Sequence, residues 1–94
     1  MQVAPAQLEA ILMTHPSVVD CAVVARPHVR LGEVPVVFVV KSGEDLDGLL
    51  PFINEQVPRY MRVAEVIEVE EIPHSPTGKV LRRVLAGRLV RDEL

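Results

Sequence analysis

Val18-Val19-Asp20-Cys21-Ala22-Val23-Val24-Ala25 and, after an interruption, Val34-Pro35-Val36-Val37-Phe38-Val39-Val40-Lys41 decide the fold. β-Branched residues dominate both stretches, and about eight residues is the length of a strand rather than of a helix. Between them, Arg26-Pro27-His28-Val29-Arg30-Leu31-Gly32-Glu33 carries a proline and a glycine and predicts the turn. The unbroken Val36-Val37-Phe38-Val39-Val40 predicts a second strand covered on both faces.

Outward from this pair the period changes. From Pro5 to about His15, Leu8, Ile11 and Leu12 fall at helical spacing, Pro5 suits a first helical turn, and His15-Pro16 ends the helix. After a turn at Ser42-Gly43-Glu44-Asp45, a second helical stripe runs through Leu46, Leu49, Leu50, Ile53 and Val57. Pro51 within it requires either a helix capped by Asp47 with Pro51 in its first turn, or an earlier start with a kink. Val63 to Glu71 alternates imperfectly, Ile67 and Val69 on one side and Glu68 and Glu70 on the other, which predicts a half-exposed strand. Ile72 to Gly78 is loop, and from Lys79 onward Leu81, Val84, Leu85 and Leu89 predict a last amphipathic helix with Thr77 as its cap. The order α-β-β-α-β-loop-α predicts an α+β fold, a small mixed sheet of roughly three strands packed with three helices.

The chain has 94 residues, a single domain's worth and too few for a complete enzyme with several substrates. Aromatic residues make up 3% and the net charge is −3, which excludes both a stacking platform for single strands and a basic surface for duplex nucleic acid. The lone Cys21 excludes an internal disulfide and a cysteine-based zinc site, and fits a reducing, cytoplasmic setting. The longest apolar run, Val34 to Val40, is far short of the roughly 20 residues needed to span a bilayer. Met1 to Pro5 has neither the basic nor the apolar region of a signal peptide.

Chemistry concentrates in Pro73-His74-Ser75-Pro76-Thr77-Gly78-Lys79-Val80-Leu81-Arg82-Arg83. Two prolines stiffen the approach, Gly78 permits a backbone geometry a Cβ would forbid, and Lys79 follows at the tip. A lysine held there is either an ordinary solvated side chain or a point charge aimed at an anion, in which case it contributes on the order of 4 kcal/mol at ~4 Å and an effective dielectric near 20. The stretch is not a P-loop, which needs a glycine where Pro73 stands and a hydroxyl where Val80 stands. Glu65, Glu68, Glu70 and Glu71 read as a solvated strand face rather than acid/base machinery. His15, His28 and His74 lack metal-ligand spacing, so no metal site is expected. Cys21 reads as a small buried apolar residue.

Pro5-x-x-Leu8-Glu9, His15-Pro16 before a Val/Ala strand, Pro27 with Gly32-Glu33, Pro58-Arg59-Tyr60-Met61 and Ile72-Pro73-x-Ser75-Pro76-Thr77-Gly78-Lys79-Val80 follow one another along the chain. In that order they resemble the C-terminal domain of adenylate-forming enzymes, the superfamily of acyl-CoA synthetases, luciferase-like ligases and nonribosomal peptide synthetase adenylation domains. The resemblance covers nearly the whole chain, and its last motif is the specific one. It implies that residues 1–94 are one domain, the mobile lid of an AMP-forming ligase, without the hinge, the small hairpin after it and the N-terminal ATP-binding domain. It also implies two half-reactions: ATP converts a fatty or other carboxylic acid to an acyl-adenylate, and a thiol of CoA or of a carrier-protein phosphopantetheine then displaces AMP.

The same resemblance implies roles for individual residues. Lys79 would be the catalytic lysine of adenylation, supported by Ser75, Pro76, Thr77 and Gly78. Arg82, Arg83, Tyr60, Gly32 and Glu33 would be contacts to phosphate or to the partner domain, set against the plainer readings of Tyr60 as a packing residue and the two arginines as a solvated helix face. ATP and Mg would be held mainly by the N-terminal adenylation domain, the chain's implied partner. His28 stands where many of the family have an acidic residue. The isolated chain is expected to be inactive, and a strand edge or apolar patch freed from the partner could pair with a second copy. The rival reading is a stand-alone, non-catalytic interaction or oligomerisation module with the same fold.

Overall fold

The structure, a computed structural model, describes residues 4–43, 46 and 48–92. Three helices and a three-stranded mixed sheet follow in the order anticipated: α1 (Pro5–Leu12), β1 (Val18–His28), β2 (Gly32–Lys41), α2 (Leu49–Asn54), a 3-10 turn (Arg59–Met61), β3 (Glu65–Glu68) and α3 (Arg82–Asp92). β2 is the central strand, antiparallel to β1 with Val23 opposite Val37, and parallel to β3 with Val36 opposite Glu65. The parallel pair needs a crossover, and α2 lies in it.

Successive side chains of a strand point to opposite faces, so a continuous valine run feeds two cores. Cys21, Val23, Val37 and Val39 meet Leu8 and Leu12 of α1 and Leu49 and Ile53 of α2 on one face. Ala22, Val24, Val36 and Phe38 meet Leu85 and Leu89 of α3, with Val69 and Ile72, on the other. The expectation that Val36 to Val40 is covered on both faces holds, with Val36, Val37, Phe38 and Val39 fully buried.

Boundaries differ from the sequence reading for local reasons. α1 stops at Leu12 rather than near His15, because the Thr14 hydroxyl donates to the Ile11 carbonyl at 2.6 Å and Pro16 disfavours a helical His15. The turn expected over Arg26 to Glu33 is strand for most of its length, since Pro27 pairs with Glu33 and His28 with Gly32. Only Val29, Arg30 and Leu31 remain as the connection, and Gly32, at φ +81°, closes it. His28 Nδ1 accepts the N–H groups of Arg30 at 3.2 Å and Leu31 at 3.1 Å, an acceptor role that a carboxylate in its place would also fill.

α2 begins at Leu49, which puts Pro51 in its first turn where the amide has no helical partner, so no kink is needed. Its N-cap position is Gly48; Asp47, expected as the cap, lies outside the described residues, as do Glu44 and Asp45 of the expected turn. β3 is shorter than the expected Val63 to Glu71, because Asn54 takes both backbone groups of Val63, donating to its carbonyl at 3.1 Å and accepting its N–H at 2.7 Å. α3 starts three residues later than Lys79, since Leu81 N–H donates to the Pro73 carbonyl at 2.9 Å and Val80 bridges to His74. Leu85 and Leu89 carry its buried face, while Leu81 and Val84, expected there, are exposed.

Burial, then the nearby Glu9 and Asp20 carboxylates, push the Cys21 thiol up to about 12 from 9.0. The unfolded chain releases this proton at lower pH than the folded one, so Cys21 leaves stability unchanged below pH 9 and lowers it as pH climbs from there toward 12. A thiol reagent at neutral pH is expected to modify Cys21 much more slowly in the folded chain than in urea; equal rates would contradict its burial. No described helix is long and apolar enough to cross a membrane.

Candidate functional site: the Lys79 hairpin

Ser75 to Lys79 forms a tight hairpin whose geometry follows from its letters. The Gly78 N–H donates to the Ser75 carbonyl at 2.8 Å, closing a β-turn with Pro76 at its second position, where the fixed φ of proline is preorganised. The Ser75 N–H then donates to the Lys79 carbonyl at 2.8 Å across the three-residue loop. Gly78 has φ +90°, a conformation that costs an L-residue about 1–2 kcal/mol. Gly78→Ala is therefore expected to destabilise the domain by about that amount, whereas Gly87→Ala, in the exposed interior of α3 with open space around it, should stabilise by about 0.5–1 kcal/mol. Urea midpoints of the two variants moving in the same direction would contradict this.

The Ser75 and Thr77 hydroxyls hydrogen-bond at 2.8 Å, and Ser75 Oγ accepts the Lys79 N–H at 3.2 Å. Thr77 thus braces the loop and does not cap α3. The hydroxyls of the motif bond within the loop itself, and the Lys79 side chain is left exposed, with no ion pair among the described residues. Before the hairpin, His74 Nδ1 donates to the Ile72 carbonyl at 2.6 Å, and its Nε2 lies 3.7 Å from Asp20 Oδ2 on β1.

The other residues singled out from the sequence are not gathered around Lys79. Tyr60, on the 3-10 turn, is 56% exposed, while its neighbour Met61 fills the core at 8%. Tyr60 and Glu33 line an open groove of about 690 Å³ beside the β1–β2 turn, together with Arg59, Arg62 and Leu31. Gly32 belongs to that turn, so this end of the molecule is separated from Asp20 by roughly 26 Å of strand at ~3.3 Å per residue. Arg83 is exposed at the second position of α3. Arg82 is engaged within the domain: Nη2 donates to both carboxylate oxygens of Glu9 at 2.8 Å, and Nε donates to the Val23 carbonyl at 3.2 Å.

Glu9 was legible in the sequence only as a motif letter; its partner lies too far along the chain for spacing to pair them. Glu65 and Glu68 form ion pairs with Arg26 at 2.8 Å and Lys41 at 3.6 Å, consistent with a solvated strand face. No group of three or more His, Cys, Asp or Glu among the described residues is arranged to hold a metal ion.

Such a chain is a small α+β domain that presents Lys79 on an exposed hairpin. A family model described as the AMP-binding enzyme C-terminal domain matches residues 7–79, ending on Lys79 itself. The chain belongs to that family. It is 51% identical over 89 residues to a 4-coumarate–CoA ligase of Pinus taeda and 52% identical over 96 residues to one of Vanilla planifolia, covering 94% and 99% of this chain. It spans 17% of the length of each of these relatives. Among solved structures, a Mycobacterium tuberculosis fatty acyl CoA synthetase superposes with a TM-score of 0.86 at 29% identity, covering 98% of this chain and 19% of that one. The o-succinylbenzoate CoA synthetase of Bacillus subtilis, in complex with an acyl-adenylate intermediate, superposes with a TM-score of 0.83 at 26% identity, covering 90% and 18%.

Proposed function

We propose that this domain is the mobile lid of an AMP-forming acid–CoA ligase and that Lys79 is its catalytic residue in acyl-adenylate formation. The observation that carries the reading is the hairpin: an exposed lysine at the closing position of a tight loop whose two hydroxyls bond to one another, within the stretch that the family match covers. Adenylation brings a carboxylate against the α-phosphate of ATP, two anions that repel. An ammonium delivered between their oxygens lowers that repulsion where negative charge concentrates, and a rigid loop delivers it without reorganisation. Movement of the lid would withdraw Lys79 once the adenylate has formed and let the thiol approach.

The names of the relatives, CoA ligases and CoA synthetases, support CoA as the acceptor over a carrier protein. ATP and the acid would be bound by the large N-terminal domain, as would Mg, which supplies charge neutralisation on the phosphates. This chain's own contribution is one placed cation. Ser75, Pro76, Thr77 and Gly78 hold the loop, and Arg83, Tyr60, Gly32 and Glu33 are left for contact with the partner domain. The isolated 94-residue chain is accordingly expected to catalyse no pyrophosphate exchange with ATP and an acid, while the full-length ligase does; turnover by the isolated chain would refute the division of labour.

A further inference from the structure

β1 is an edge strand, yet its outward backbone is covered at Val23. The Val23 N–H donates to Glu9 Oε2 at 2.8 Å and the Val23 carbonyl accepts from Arg82 Nε at 3.2 Å. Carboxylate and guanidinium also bond each other, so side chains from α1 and α3 occupy the place that a neighbouring strand would take. The Glu9 side chain is 19% exposed and the Arg82 side chain 42%, which shields the pair from full solvent screening. Cys21, two residues away, has its N–H taken by Asp20 Oδ1 at 2.9 Å. Strand pairing with a second copy along this edge is thereby obstructed.

We propose that this Glu9–Arg82 clamp on Val23 is a positioning device for Lys79, the proposal resting on the lysine's role in adenylation. Arg82 lies three residues beyond Lys79 and begins α3. Between them Val80 bridges to His74 and Leu81 bonds Pro73, so the segment is extended and transmits the position of Arg82 to the loop with little slack. Upstream, His74 Nε2 lies 3.7 Å from Asp20 Oδ2, beside β1 but beyond hydrogen-bond distance; downstream, the clamp ties the segment to β1 at Val23. Glu9 and Arg82 touch no reacting group. Their part is to fix the downstream leg of the hairpin to β1 at Val23, so that lid closure carries the ammonium to a fixed point; misplacement of a catalytic group by about 1 Å costs up to about 10²-fold in rate.

Two conservative variants in the full-length ligase test this, read in both half-reactions. Glu9→Gln keeps an acceptor for Val23 but removes the charge, and Arg82→Lys keeps the charge but loses the planar donor set. Each is expected to slow single-turnover adenylation about tenfold while changing thiol transfer from supplied acyl-adenylate by less than about twofold, and the double variant should be little worse than either single one. Unchanged adenylation in both variants overturns the proposal. Equal loss in the two half-reactions, including loss through misfolding, also overturns it, because the clamp then serves the fold alone. Lys79→Ala in the same assay separates the levels: if it slows adenylation and the clamp variants do not, only the clamp fails, whereas if it does not, the catalytic reading and the clamp fall together.

Discussion

Lys79→Ala in the full-length ligase is expected to slow acyl-adenylate formation by about 10²–10³-fold, the usual cost of deleting one preorganised electrostatic donor. That range corresponds to about 2.7–4 kcal/mol of transition-state stabilisation. A unit charge at ~4 Å with an effective dielectric near 20 gives about 4 kcal/mol, so one ammonium can carry the effect without help from a second group. The hairpin keeps the cost of using it low: the loop is already closed by the Gly78 to Ser75 and Ser75 to Lys79 hydrogen bonds before any substrate arrives. Lys79→Arg should recover only part of the rate, because a planar fork distributes its charge differently from a compact ammonium. A full-rate Lys79→Ala ligase in a single-turnover assay would remove the basis for the proposed function.

Phe38→Ala is expected to cost about 3–5 kcal/mol of stability. Phe38 is fully buried at the middle of the central strand, on the face covered by Leu85 and Leu89 of α3 with Val69 and Ile72. Those neighbours belong to segments fixed in place by the rest of the fold, so collapse into the void is restricted. A domain of this size has on the order of 5–10 kcal/mol in total, and the variant would lose a large part of it. Urea unfolding should show a much lower midpoint, with Val29→Ala at the fully exposed turn nearly unchanged. A wild-type midpoint for Phe38→Ala would contradict the two-faced core.

Much of the architecture was readable because valine runs and helical stripes are local signals. The errors came where a distant partner decided. Pro27 suggested a turn, but on an edge strand its missing N–H faces the side away from β2, as that of Val23 does, so the strand continues through it. The apolar spacing of Leu81 and Val84 fits a helix, yet backbone pairing with Pro73 and His74 draws Val80 and Leu81 into an extended segment and delays α3 to Arg82. Lys79 stood out as a candidate through its motif, and the glycine before it does adopt the conformation anticipated. The Glu9–Arg82 pair was not legible, since only the folded sheet brings α1 and α3 together over β1.

One experiment bears most directly on Lys79 as a lid residue of adenylation: single-turnover thiol transfer by the Lys79→Ala ligase supplied with preformed acyl-adenylate and CoA. The rate should stay within about twofold of wild type, because under the proposed function the lysine acts on ATP and the acid and leaves the site before the second step. A loss as large as that in adenylation would contradict the reading and show that Lys79 supports the enzyme in some other way.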